Sequence, residues 1–247
     1  MCSKFAFGNL STDLVVLALW LQVTRNNLAR GVIMNRILLA SYPRSGNTFL
    51  RTLLWNNFGF KSGSVYKNDL GGNKNLENFV GHIEHENGHI YFPSDQPIFL
   101  KTHGLDIYPG EKTIYVVRNG LDALRSLLKF YSDEIIESPE YSKKISKGEL
   151  FFKDWASHLQ SWVPWRRQHT LFLRYEEMAS DPLDTILKLS EFLNVKPINT
   201  VIPERDTISN VDGKWVRKAT ENQDKVPEHL KENFMKQNSD MMKFLGY

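Results

Sequence analysis

The chain has a single cysteine, Cys2, in 247 residues. That excludes an internal disulfide framework and a cysteine-rich zinc site, and it fits a reducing compartment. A loop of the form G-x-x-x-x-G-K followed by Ser or Thr is also missing, so the usual nucleoside-triphosphate cradle is excluded. No charge of one sign dominates: 31 Lys and Arg stand against 28 Asp and Glu, a net charge of +3. The basic residues are scattered, so nucleic acid is not an expected partner and any anion site must be local. The apolar run Leu14–Val23 covers ten residues, too few to span a bilayer. It lacks the basic leader and small-residue cleavage site of a signal peptide. No membrane span is therefore expected. Internal repeats, low-complexity tracts and an interdomain linker are absent too.

What is present is ordinary for a globular protein: 41% hydrophobic and 24% charged residues, in a length that suits one large α/β domain. Ser11-Thr12-Asp13 reads as the cap of a helix running to about Arg30. Leu14, Leu17, Ala18, Leu21, Val23 and Leu28 would form its buried stripe, which favours a packed amphipathic helix over a membrane anchor. Residues 1–33 read as a helical accessory segment and 34–247 as the main domain, because Met34-Asn35-Arg36 leads straight into its first strand.

Four β-like runs follow: Arg36–Ser41, Ile98–Lys101, Thr113–Arg118 and Thr170–Arg174. Helical patterns accompany them over Thr48–Asn57, Leu121–Tyr131, Glu149–Gln168 and Pro182–Leu193, with a last helix over Glu228–Leu245 after Pro227. This alternation predicts an α/β fold with a central parallel sheet flanked by helices. Ligands in such sheets sit at the carboxyl ends of the strands. The Tyr42–Thr48 loop, Thr102-His103-Gly104 and Arg118-Asn119-Gly120 are thus expected to meet in one crevice. Lys61–Asn78 and Asp133–Gly148 read as surface loops able to cover it.

Three segments carry chemistry. Tyr42-Pro43-Arg44-Ser45-Gly46-Asn47-Thr48-Phe49-Leu50-Arg51 is a tight loop at a helix N-terminus. Backbone N–H groups and the helix dipole there suit an anion, and Arg44 adds a fixed cation. Tyr115–Ser126 ends a strand with Arg118 and places Ser126 two turns into the next helix, where the two could grip one phosphate. Asp122 suits the start of that helix. Lys101-Thr102-His103 delivers a Lys and a His on one strand face. A histidine there can serve as a general base, and a lysine can neutralise developing negative charge.

Two other sets invite a ligand reading and are given a plainer one. The histidines of His82-Ile83-Glu84-His85-Glu86-Asn87-Gly88-His89 are spaced for a metal on a helix face, but Asn87-Gly88 reads as a turn, so no metal is expected. Trp155, Trp162, Trp165 and Phe151-Phe152 read as core rather than as a ligand cage.

Taken together, these segments resemble the sulfotransferases that use 3′-phosphoadenosine 5′-phosphosulfate (PAPS). Tyr42–Leu50 is similar to the family's Y-P-K-S-G-T-T-W-L loop, and Tyr115–Ser126 to Y-x-x-R-N-P-x-D-x-x-x-S. Lys101-Thr102-His103 resembles the segment with the catalytic base. Leu173–Met178 resembles L-x-Y-E-D-L, Trp155–Trp162 resembles W-x-x-H-x-x-x-W, and Trp215–Ala219 resembles the region of the late R-K-G motif. The six stand in order from about residue 36 to the C-terminus.

The resemblance implies a P-loop-like sulfotransferase fold and roles for individual residues. It implies that Ser45, Gly46, Asn47 and Thr48 hold the 5′-phosphosulfate, that Phe49 stacks on adenine and that Tyr175 touches the nucleoside. Arg118, Ser126, Arg217 and Lys218 would bind the 3′-phosphate. His103 would be the base, with Lys101 and Arg44 neutralising the leaving phosphate. It implies PAPS as the donor, a small-molecule acceptor with a hydroxyl or amine, no metal and a cytoplasmic setting. A homo-oligomer is left open. Arg44, Asn47, Gly120 and Ala219 depart from the pattern, where Lys, Thr, Pro and Gly are usual. Gly120 is expected to loosen its turn. Two readings compete: an atypical nucleotide-dependent phosphotransferase and a non-catalytic nucleotide-binding module.

Overall fold

Every residue of Arg36–Ser41 is buried, as an unbroken apolar run in a strand covered on both faces should be. In the computed structural model this is strand β1, the centre of a five-stranded sheet. The structure describes residues 36–108, 110–203, 210, 212 and 225–247. The expected accessory helix of residues 1–33, and Arg217, Lys218 and Ala219, lie outside the described residues.

The other strands are β2 (Ser62–Ser64), β3 (Ile98–Thr102), β4 (Lys112–Val117) and β5 (Thr170–Arg174). The order is β2-β3-β1-β4-β5, and every pair is parallel. After β1 the chain runs to one side of it for β2 and β3, then crosses to the other side for β4 and β5. That reversal leaves a crevice at the carboxyl edge beside β1. Ala40 aligns with Thr102, and Ser41 with Val116. The segments that follow β1, β3 and β4 therefore start side by side.

Helix α1 (Asn47–Phe58) follows β1, and α2 (Lys74–Phe79) follows β2. After β4 come α3 (Gly120–Phe130), α4 (Ser132–Glu137), α5 (Glu140–Ser146) and α6 (Trp155–Trp162). Then β5 leads to α7 (Tyr175–Ser180) and α8 (Pro182–Leu193), and α9 (Glu228–Phe244) closes the chain. Ile37, Leu39, Phe99, Ile114 and Val116 pack on one sheet face with Leu50 and Leu53 of α1, Met178 of α7 and Ile186 and Leu189 of α8. On the other face Tyr115 packs on His158 and Trp162 of α6. Trp155 and Trp162 are buried, so their reading as core holds.

The structure corrects three expectations. Lys61–Asn78 is not a surface loop: it contains β2, and Asp69, Leu70, Leu76 and Glu77 are buried. Ser-Gly-Ser has little strand propensity, and β2 exists because it pairs with β3 (Ser62 with Phe99, Ser64 with Lys101). Gly63 is needed there, because a Cβ would lie 2.9 Å from Phe92 and 3.1 Å from Ile90. Asp133–Gly148 likewise folds into α4 and α5. The helix expected over Glu149–Gln168 shrinks to α6. Lys153 (φ 59°) breaks the chain before it, and Asp154 caps it by accepting from Ser157 N. Val163 (φ 39°) and Pro164 end it.

Gly120 does not loosen its turn. Asn119 caps α3, its side chain accepting from Leu121 N and Asp122 N. A Cβ at Gly120 would lie 2.7 Å from Phe234 and 3.0 Å from both Met242 and Trp155. Close packing of α3 against α6 and α9 explains the glycine.

Candidate active site

The loop after β1 turns sharply, with Ser45 N donating to Tyr42 O at 3.2 Å. Arg44 (φ 65°) and Gly46 (φ 106°) adopt left-handed conformations on either side of buried Ser45. Gly46 is the N-cap of α1, and no side chain caps that end. The first-turn N–H groups are therefore not taken by a cap, and no acidic side chain sits in that turn to oppose an anion. Among the described residues the buried Ser45 hydroxyl has no hydrogen-bond partner, which leaves it able to bond an anion held by the loop. Thr48 and Phe49, next in α1, are half-buried.

Asn47 contributes differently from a hydroxyl residue. Its side chain turns back into the sheet, where Nδ2 donates to Leu39 O at 2.9 Å and lies 3.3 Å from Ser41 Oγ. Only its backbone N–H belongs to the cradle. Ser41 in turn meets His103: the His103 Nδ1 is 2.8 Å from Ser41 O and 3.3 Å from Ser41 Oγ. A carbonyl oxygen can only accept, so Nδ1 carries the proton and Nε2 carries the lone pair.

His103 is held on several sides. Its backbone N–H donates to the Tyr66 hydroxyl at 2.8 Å, and the two rings stack with centroids 6.0 Å apart. Tyr66 also packs on Phe151 at 5.7 Å. Burial pushes the imidazole well below its usual pKa of 6.5, and the Lys101 ammonium pushes the same way. His103 is therefore neutral at pH 7. Lys101 lies in β3, two residues before His103, and its Nζ is 2.7 Å from Asp69 Oδ1.

Arg118 follows β4 directly. Its guanidinium donates to Arg44 O at 3.1 Å and lies over the Tyr175 ring at 4.5 Å. Tyr175 also covers Gly46, where a Cβ would be only 2.4 Å from Tyr175 Cδ2. Arg44 Nε donates to Ser126 Oγ at 3.2 Å, and its guanidinium lies over Phe130 at 4.8 Å. Arg44, Ser45, Gly46, Tyr175, Arg118 and Ser126 thus form one cluster at the carboxyl end of β1 and β4.

Sequence reasoning missed how this cluster is braced from behind. Helix α6 reaches the site through three side chains: Trp155 Nε1 donates to Arg118 O, His158 Nε2 to His103 O and Trp162 Nε1 to Gly104 O. His158 Nδ1 accepts from the Tyr115 hydroxyl at 2.7 Å, and burial pushes its pKa down to about 4. It is a neutral strut between β4 and the segment that follows β3. Glu176 accepts from Asn119 N at 2.8 Å and from the Tyr247 hydroxyl at 3.0 Å, tying the Arg118 turn to the C-terminus. The W-x-x-H-x-x-x-W and L-x-Y-E-E-M patterns were visible in the chain, but which backbone groups they brace was not.

The His82–His89 segment does not gather as a metal site. His82 Nδ1 is 2.6 Å from the Arg51 guanidinium, and His85 Nε2 donates to Ser64 O at 2.8 Å. Among the described residues, no three metal-ligating side chains come together.

The sulfotransferase-domain family model matches residues 34–244 of this chain. The chain belongs to the sulfotransferase family. It is 29% identical to mouse sulfotransferase 1B1 over 178 residues, 64% of this chain and 58% of that protein. It is 27% identical to human sulfotransferase 1E1 over 192 residues, 67% of this chain and 61% of that protein. The match thus spans about three fifths of the length of these family members. Among solved structures, a mouse sulfotransferase complexed with PAP is similar with a TM-score of 0.55 at 20% identity, over 85% of this chain and 87% of that one. A retinol dehydratase in complex with retinol and PAP is similar with a TM-score of 0.59 at 16% identity, over 88% and 84%. These likenesses show the sulfotransferase α/β fold. Among the described residues, no helix is long and apolar enough to cross a membrane.

Proposed function

We propose that the chain transfers the sulfuryl group of PAPS to a hydroxyl or amine of a small-molecule acceptor and releases 3′-phosphoadenosine 5′-phosphate (PAP). One observation carries this reading: a neutral histidine with its Nε2 lone pair available stands beside an anion cradle at the end of the same sheet. In the reaction, His103 Nε2 takes the acceptor's proton as its oxygen or nitrogen bonds to sulfur. The bond from sulfur to the 5′-phosphate oxygen breaks, and that oxygen keeps the electron pair. The charge that grows on the phosphate is stabilised by Lys101, Arg44 and the N–H groups of Ser45, Gly46, Asn47 and Thr48. Arg118 and Ser126 grip the 3′-phosphate, with Arg217 and Lys218, while Phe49 and Tyr175 hold the nucleoside. Tyr66 and Phe151 make the wall beside the base aromatic, which suits a planar, largely apolar acceptor in the cytoplasm. The retinol dehydratase shares the fold, so acceptor chemistry has to be argued from the site rather than from the fold.

Calorimetry tests the donor. PAP is expected to bind without magnesium, and ATP with magnesium is expected to bind far more weakly. The reverse order would favour the phosphotransferase reading. PAP binding without transfer to any of a broad panel of acceptors would favour a binding module.

The cradle itself can be probed at Gly46. An alanine there meets Tyr175 and must also keep a left-handed backbone. Such strain costs on the order of 1–3 kcal/mol, so Gly46→Ala is expected to weaken PAP binding by about tenfold or more in the same calorimetric titration. Unchanged affinity would mean that the loop and Tyr175 can separate without cost.

A further inference from the structure

Lys101 does not stand alone at the end of β3. Its Nζ lies 2.7 Å from Asp69 Oδ1, and the other Asp69 oxygen lies 2.7 Å from Arg51 Nη1. All three side chains are buried: Arg51 is 0% exposed, Lys101 4% and Asp69 5%. Arg51 is itself anchored. Its Nε donates to Ser62 Oγ at 2.8 Å, and Nη2 lies 2.6 Å from His82 Nδ1. Because a guanidinium can only donate, His82 Nδ1 accepts, and His82 Nε2 carries the proton that points to Glu84 Oε1 at 3.1 Å. Burial, with the Arg51 charge beside it, pushes the His82 pKa down to about 4, so this link is neutral.

Arg51 and Lys101 both bond to the Asp69 carboxylate, away from water. Burial pushes the Lys101 ammonium toward losing its proton, Asp69 opposes that, and Arg51 and Arg44 add to it. Burial alone would raise the Asp69 pKa, but Lys101 and Arg51 more than offset it and hold the carboxyl well below the usual range. Arginine does not give up its proton in proteins. If the carboxylate were removed, the group left to discharge would be Lys101.

We infer that Asp69 is a positioning residue for the transfer: its carboxylate fixes the Lys101 ammonium beside His103 and keeps it charged, while Arg51, Ser62 and His82 fix the carboxylate. This rests on the reaction proposed above. The segment that supplies Asp69, between β2 and α2, thereby acts on the leaving phosphate through Lys101, and the histidine-rich segment acts one step further back through His82.

The test is the pH profile of kcat for PAPS-dependent transfer in Asp69→Asn against wild type. Groups facing Lys101 are Asp69, Arg51, Arg44, His103 and His82. Lys101 works as a cation, so activity is lost as pH rises through its pKa. An opposite charge at this distance is worth ~1–3 pH units, so the alkaline limb is expected to move down by that amount in Asp69→Asn. The acid limb, set by His103, should move less and downward, because Lys101 is still protonated there and the Asp69 charge that is lost is a smaller influence on His103 than burial and Lys101. A purely structural role would lower the folded fraction without moving either limb, and an unmoved alkaline limb would overturn the inference. If Asp69→Asn does not fold, Asp69→Glu carries the test. It keeps the charge and so the limb, but displaces the ammonium; kcat should fall severalfold, and a wild-type kcat would overturn the inference. Failure of the reaction itself is recognised separately, because wild type would then transfer no sulfuryl group at all.

Discussion

Replacing His103 by alanine is expected to lower kcat for sulfuryl transfer by roughly 10²–10⁴-fold, the usual contribution of a positioned general base. Affinity for PAP should be nearly unchanged, because the described residues proposed to hold the nucleotide lie on the β1 loop, the start of α1, the turn after β4, α3 and α7. The structure makes this separation sharp. The His103 Nδ1 is tied to the Ser41 carbonyl, so Nε2 is the basic atom. Burial and Lys101 keep the imidazole below its usual pKa. A base with a depressed pKa stays competent through neutral pH and is lost only as pH falls through the lowered value. The acid limb of wild-type kcat should therefore lie below pH 6.5. Steady-state kinetics and PAP calorimetry on the same preparations check both halves. Full activity in His103→Ala would remove His103 as the base. A matching loss of PAP affinity would instead make it a nucleotide-binding residue.

Arg118→Ala is expected to act on binding rather than on the proton. Removing a hydrogen bond to a charged group costs about 1.5–3 kcal/mol, so PAP affinity should fall roughly tenfold to a hundredfold. Adenosine 5′-phosphosulfate lacks the 3′-phosphate, so its affinity should fall much less than that of PAP. Arg118 also donates to the Arg44 carbonyl and lies over Tyr175, so truncation loosens the loop as well. The comparison of the two nucleotides separates these effects: lost loop geometry weakens both, whereas a lost phosphate contact weakens only PAP. Equal losses would place the 3′-phosphate elsewhere.

How much of this could be read from the chain depends on how local the physics is. The β1 loop was legible because an anion cradle needs a glycine able to take φ 106° and hydroxyls at fixed spacing before a helix. Strands β1, β3, β4 and β5 announced themselves by short, largely apolar runs of ordinary length. Asp69 was not legible. It sits among Gly, Asn and Lys residues that read as solvent-facing, and its burial is imposed by β2 pairing with β3 and by Arg51 from α1. β2 itself carries no strand signal. The overlong helix prediction at Glu149–Gln168 failed because apolar periodicity continues through Trp165, whereas the backbone turns at Lys153 and Val163. His82 looked like a metal ligand by spacing, since spacing cannot show that Arg51 already takes Nδ1. The acceptor side was faint for the same reason: Tyr66 and Phe151 meet His103 only through the fold.

The most direct test is to incubate wild type and His103→Ala with sulfur-labelled PAPS and a panel of small phenols, alcohols and amines. Wild type is predicted to move label to at least one acceptor and to release one PAP for each label moved, while His103→Ala releases and transfers almost none. Label reaching an acceptor equally well in both proteins, or phosphate moving from ATP while PAPS is left untouched, would contradict the account.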